Sequence, residues 1–187
     1  MGRGAKWAIG IGVVVVLLFF LLISPYNTLV GLDESVNKAR SDIEVTLQRR
    51  LDLIPNLVNT VKGYAAHERQ TLEAVVKARQ QVVSAGDLAS KLKANQELSG
   101  ALSRLLVVVE RYPDLKANAN FRDLQVQLEG TENRIAVART RFNSAVLQYN
   151  TAIRRFPTLI LARLLGYSSK QGFAGAPEAQ KAPQVKF

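Results

Sequence analysis

No cysteine occurs in the 187 residues, which excludes disulfides, thiolate nucleophiles and thiolate metal sites and leaves the redox compartment open. Histidine is nearly absent too, since His67 stands alone. A metal site needs several converging ligands. "HERQTLE" offers neither a His-Glu-x-x-His nor a paired Glu-x-x-His arrangement, and Glu68 and Glu73 diverge around the helix. Serine and threonine find no general base beyond His67, and no glycine-rich stretch builds a Rossmann or P-loop phosphate cradle. The expectation is a chain that is not an enzyme, with no cofactor, no metal and no small-molecule substrate. Acidic residues are also few, 15 against 25 Lys and Arg. That surplus favours anionic partners. Nucleic acid is not expected among them, because the basic residues are spread over every predicted helix, mixed with acids, and no aromatics interleave with them at stacking spacing.

One long hydrophobic run is present. From Trp7 through Leu32 there is no charged residue, and the dense core Trp7–Ile23 with its uncharged flank reaches the roughly 20 residues a spanning helix needs. The apolar core of a cleaved signal peptide is shorter and ends at a small-x-small site, which "LLISPYN" does not supply. Trp7 and Tyr26 stand where interfacial aromatics belong. Arg3 and Lys6 lie nearer the run than Lys38 and Arg40, so the positive-inside rule predicts a cytoplasmic N-terminus with the following domain outside the cytoplasm.

Beyond the run, apolar residues recur three and four apart, the signature of amphipathic helices. Leu29, Leu32, Val36, Ala39, Ile43, Leu47, Leu51 and Ile54 form the first stripe. Pro55 removes a backbone donor and disfavours helix at Ile54, which predicts a kink or short break at "DLIPN". Leu57, Val58, Val61, Tyr64, Ala65, Leu72, Val75 and Val82 resume the stripe, and Gly86 followed by Asp87 reads as a stop and an N-cap. Leu88, Leu92, Leu98, Leu102, Leu105, Leu106 and Val109 mark a third helix. Pro113 is expected to end it, and Asn120 with Asp123 resembles a capping box for the fourth. That fourth helix carries the steadiest register, Phe121, Leu124, Leu128, Thr131, Ile135, Ala138, Phe142, Ala145, Tyr149, Ile153 and Phe156, a seam made for packing on other helices. The apolar run after Pro157 is too short to span and long enough to dock on the bundle or to dip into a membrane interface, docking being expected.

Four polar groupings are candidate sites. Arg49, Arg50 and Asp52 gather near Pro55. Glu132, Asn133, Arg134 and Arg139 surround the seam of the fourth helix, where Glu132 paired with an arginine of a neighbouring helix would fix register, or the group would form a contact surface for a partner or an identical subunit. Tyr112, Lys116 and Asn118 lie in the turn "RYPDLKANANF" and are not needed to make a turn. Arg154, Arg155, Arg163 and Lys170 flank the short apolar run and are candidate lipid-facing residues.

"RRLDLIPNLVNTVKGYAAHERQTLEAVVKAR", "ERYPDLKANANF", "TENRIAVARTRFNSAV" and "YNTAIRRFP" follow in order between Arg49 and Pro157, within a stretch of similarity that runs from about Tyr26 through Phe173, and the chain ends in "APQVKF". In these segments it closely resembles the LemA family of bacterial membrane proteins. In "KARSDIEV" it departs from the family habit of an aromatic after the alanine, having Arg40 there. The resemblance implies an N-terminal membrane helix followed by long antiparallel helices, and no established enzymatic activity. The expected architecture is therefore all-α and LemA-like. It has a transmembrane anchor over 1–28, an antiparallel bundle of about four long helices over 29–173, and a mobile tail over 174–187. The expected role is a non-catalytic, single-pass scaffold or interaction protein of the bacterial inner membrane, working as a homo-oligomer or with a membrane protein partner. The alternatives are a lipid-facing protein that organises or remodels the bilayer, and an adaptor or regulator of a membrane enzyme such as a protease.

Overall fold

A computed structural model describes residues 2–173, except for some side chains near the N-terminus; the tail expected over 174–187 lies outside the described residues. The described chain is all-α. Its helices are α1 (Arg3–Tyr64), α2 (Arg69–Ser84), α3 (Leu88–Val109), α4 (Pro113–Ala117), α5 (Ala119–Ala152) and α6 (Thr158–Leu164). Two compact bodies result, residues 41–139 and residues 1–40 with 140–187.

In the body 41–139, the long helical segments, from α1, α2, α3 and α5, run up, down, up and down, with the short α4 in the turn between α3 and α5. Arg50 on α1 meets Glu132 on α5, and fourteen residues further along α1 Tyr64 meets Asn118, fourteen residues earlier in the chain than Glu132. Equal steps in opposite directions make α1 and α5 antiparallel. The core is the predicted stripe: Leu51, Ile54, Leu57 and Val61 from α1, Leu72, Val75 and Val82 from α2, Leu98, Leu102 and Leu105 from α3, and Phe121 and Leu128 from α5. Each such side chain taken fully out of water contributes about 1.5–3 kcal/mol.

The helix boundaries differ from expectation in three places. α1 runs through Pro55 without a break. The chain turns instead at 65–68, between Tyr64 and Arg69. Pro55 has no N–H for the Leu51 carbonyl, and the side chain of Arg79 on α2 takes up that role, its Nε donating to Leu51 O at 3.0 Å. A helix keeps its course past proline when the freed carbonyl finds another donor. Pro113 does not end α3; it opens α4 as the first helical residue, where its missing N–H costs nothing. The cap of α5 is Asn118 rather than Asn120, since the Asn118 Oδ1 accepts from the Phe121 amide at 3.0 Å. Asp87 does cap α3, accepting from the Ser90 amide and hydroxyl at 3.0 and 2.6 Å.

In the other body, Leu29, Val36 and Ala39 of α1, Phe142, Val146 and Tyr149 of α5, and Ile153 just after it are buried. Phe156, placed on the seam by its spacing, lies past the end of α5 and is 77% exposed. α6 ends in a Schellman turn: Gly166 adopts φ 74°, and the Tyr167 amide donates to Ala162 O at 2.9 Å. Among the described residues no helix is long and apolar enough to cross a membrane. The side chains of Val14, Val15 and residues 17–22, which supply most of the apolar core expected to span, lie outside the described residues.

Candidate functional site

The most built polar site of the body 41–139 centres on Arg50. The heptad stripe of α1 carries this residue inward, so that it is 3% exposed. Its Nη1 donates to Asn95 Oδ1 at 3.0 Å and to the carboxylate of Glu132, while Nη2 donates to Ser99 Oγ at 3.1 Å. Ser99 Oγ also lies 3.0 Å from Glu132 Oε2. Asn95 is itself buried and Glu132 half open to solvent. One guanidinium thus ties α1 to α3 and α5. Burial pushes the Arg50 pKa down to about 10, which leaves it charged at neutral pH. Its Nε has no hydrogen-bond partner among the described residues. Beside the cluster is a cavity of about 260 Å³ whose walls are chiefly Leu57, Leu102, Leu106 and Leu128.

A buried, hydrogen-bonded arginine is a poor tool for acid–base chemistry, because it keeps its proton at neutral pH. It is a good tool for register: sliding any of the three helices by one turn strands a buried charge. The partners could not be assigned from the sequence, where Asn95 and Ser99 look like ordinary polar positions of α3.

The turn at one end of this body forms a second cluster. Tyr112 Oη donates to Glu68 Oε1 at 3.0 Å and Arg111 donates to the same oxygen at 2.9 Å. The hydrogen bond to Glu68 raises the Tyr112 pKa above the ordinary tyrosine value. Asn118 Nδ2 donates to Tyr64 Oη at 3.0 Å, and Lys116 pairs with Glu110 at 2.6 Å. Tyr112 and Asn118, left over by the turn itself, thus join it to the α1–α2 connection. Asn120 and Asp123 line an open polar depression with Asn56, Asn59, Thr60 and Gln127.

The remaining candidates are dispersed. Arg49, Asn133 and Arg134 are exposed, Arg139 is half-buried, and Asp52 accepts a 2.7 Å hydrogen bond from Gln48 within α1. The described residues hold no group of three or more His, Asp or Glu placed around a metal position; His67 is exposed in the α1–α2 turn.

The body 1–40 with 140–187 contains an arrangement for which the sequence carries no local signal. The extended segment after α6 returns along α5 and is held by two asparagines two turns apart. Asn150 donates to Lys170 O at 2.8 Å and accepts from Lys170 N at 2.9 Å; Asn143 does the same with Phe173 at 2.9 and 2.8 Å. Each side-chain amide pairs with one backbone residue as a neighbouring strand would. Tyr149 Oη donates to Ser168 O at 3.0 Å, and the Phe142 and Phe173 rings stand 4.8 Å apart. Burial raises the Tyr149 pKa. Lys170, expected to face lipid, instead pairs with Asp33 at 2.6 Å and stands 5.0 Å over the Tyr149 ring. Arg154, Arg155 and Arg163 are exposed.

Comparison with known proteins places the chain. It is 29% identical over 205 aligned positions to Magnetosome protein MamQ of Magnetospirillum gryphiswaldense and to Magnetosome protein MamQ 1 of Paramagnetospirillum magneticum, covering 95% of this chain and 75% of each relative. It is 22% identical over 150 positions to Protein LemA of Metamycoplasma hominis, covering 80% of this chain and 68% of that protein. The LemA family profile matches residues 39–187, from the second half of α1 through the α2–α5 helices to the end. With that match over most of its length, and helices throughout the described residues, the chain belongs to the LemA family.

Proposed function

We infer that this chain is a non-catalytic helical scaffold, tethered to the bacterial inner membrane by its N-terminal apolar run, with its N-terminus cytoplasmic and its bundle outside the cytoplasm. The observation that carries the reading is the Arg50 cluster: the best-buried charge of the body 41–139 is spent on holding three helices in register, with Asn95, Ser99 and Glu132 all turned to that end. Fixed register serves a surface that must keep its shape for a partner. α1 supports the tether, since the helix that contributes Arg50 is continuous from Arg3 and contains the uncharged stretch Trp7–Leu32. The names of the MamQ relatives assign those proteins to the magnetosome, which agrees with a part in building a cellular structure.

The test uses the full-length protein. It is expected to stay with membranes through alkaline carbonate washing, and to behave in detergent as a defined oligomer by light scattering or to give a discrete crosslinked product in membranes. Release by carbonate would sink the tether. A monomer that yields no crosslinked product in membranes would sink the scaffold.

A further inference from the structure

α6 lies across the chain's route from α5 to the strap that returns along it, and its two faces differ. Thr158, Leu161 and Ala162 are buried, so the helix docks on its body as expected. Its other face is apolar as well. Ile160 is 53% exposed and Leu164 79%, with Phe156 at 77% just before the helix and Leu165 at 49% just after it. Isolated exposed apolar residues are common on protein surfaces, but four large ones within ten residues form a patch that water solvates poorly.

Along α6 and the chain on either side of it the charge is of one sign, and the described carboxylates of the same body, Asp33 and Glu34, lie on α1, Asp33 being paired with Lys170. Arg154, Arg155 and Arg163 are exposed and make no ion pair among the described residues, and from Asn133 to Phe173 the chain has no acidic residue at all. Large apolar side chains with arginines beside them, on a helix lying against its own domain, are the composition of an interfacial element: the apolar atoms enter the acyl boundary while guanidinium groups stay among phosphates. Arginine suits phosphate through its planar fork of donors.

The patch is also in the right body. α6 belongs to the same compact unit as α1 up to Arg40. Six residues past α6, Lys170 is bonded to Asp33, and Asp33 stands ten residues, about 15 Å of helix, beyond Ile23, where the dense apolar run ends. A bilayer that holds that run brings its head groups within reach of α6.

We propose that α6 with Phe156 and Leu165 is a membrane foot that seats on the anionic phospholipid surface from which the bundle emerges, Arg154, Arg155 and Arg163 binding lipid phosphates. The proposal rests on the tethered reading of the N-terminal run. It assigns to α6 what the short apolar run alone left undecided, a docked face and a lipid face at once.

The absence of cysteine makes the test direct. Single-cysteine variants of the full chain, Val16→Cys, Val107→Cys, Phe156→Cys and Leu164→Cys, all at exposed positions, are spin-labelled and reconstituted in phosphatidylcholine vesicles with and without phosphatidylglycerol. The foot predicts that labels at 156 and 164 become several-fold more accessible to oxygen than to an aqueous nickel chelate in the anionic vesicles. The label at 107 should stay aqueous, and Arg154→Gln, Arg155→Gln and Arg163→Gln together should return 164 toward water. Labels at 156 and 164 as aqueous as 107 would overturn the proposal, and so would labels shielded from both reagents, which would indicate a second copy on the patch. Equal burial in phosphatidylcholine alone would overturn the role given to the arginines. The label at 16 reads the tether separately: an aqueous site there sinks that reading, while a lipid-buried 16 beside aqueous 156 and 164 sinks the foot alone.

Discussion

Arg79 on α2 donates from its Nε to the carbonyl of Leu51 on α1, the acceptor that Pro55 deprives of its helical partner. The long helix therefore continues where its sequence advises a break. Removing the donor with Arg79→Ala leaves a carbonyl unpaired at a buried residue, and about 1–2 kcal/mol of stability should be lost. Pro55→Ala supplies the missing amide, so the same arginine change in that background should cost clearly less. Urea unfolding of the four members of this cycle measures the coupling, and additive losses would show that the two residues do not compensate one another.

Glu132→Ala strands the buried Arg50 charge and should destabilise by about 2 kcal/mol, below the loss for a fully buried pair because Glu132 is half exposed. Arg50→Met with Glu132→Leu removes both charges and should recover most of that loss. Melting curves of the two variants decide: if the double variant is the weaker, the cluster holds stability in its own right.

Asn143→Ala and Asn150→Ala each delete two hydrogen bonds to the strap and should cost about 1–2 kcal/mol apiece. The informative reading is local. Amide exchange at Phe173 should accelerate in the first variant and at Lys170 in the second, since those are the amides the asparagines accept from. Gly172 sits where an added Cβ would meet Asn143 Oδ1 at 3.0 Å, so Gly172→Ala should loosen the Phe173 end of the strap in the same assay.

Asp87 gives a pH dependence of known sign. Hydrogen bonds from the Ser90 hydroxyl and amide stabilise its carboxylate and lower its pKa below 3.8. The unfolded chain then binds the proton more readily, so the contribution is fully present above pH 3.8 and is lost as the pH falls through the depressed folded value. Asp87→Asn keeps a capping oxygen without the titration. Its stability between pH 5 and 2 should fall less steeply than that of the parent, in about the window where the two carboxyl forms exchange; parallel profiles would exclude Asp87 as a contributor.

The features legible in the sequence alone are local. Leucines three and four apart could bury only on helices, and Asp87 followed by a helical stripe could only cap it. Each of these follows from period, side-chain reach or solvation within one segment. The tertiary structure decided whatever depended on a partner far along the chain. Whether Pro55 breaks α1 turns on Arg79, 24 residues later and on another helix. Arg50 and Glu132, 82 residues apart, become one site only when three helices meet. Lys170 finds Asp33 and Tyr149 far away in the sequence, and Asn143 and Asn150, ordinary surface positions of a helix, hold the extended segment that returns along it. A backbone carbonyl, a buried guanidinium and an extended segment share one property: their energy is settled by the group that satisfies them, and no local pattern names that group.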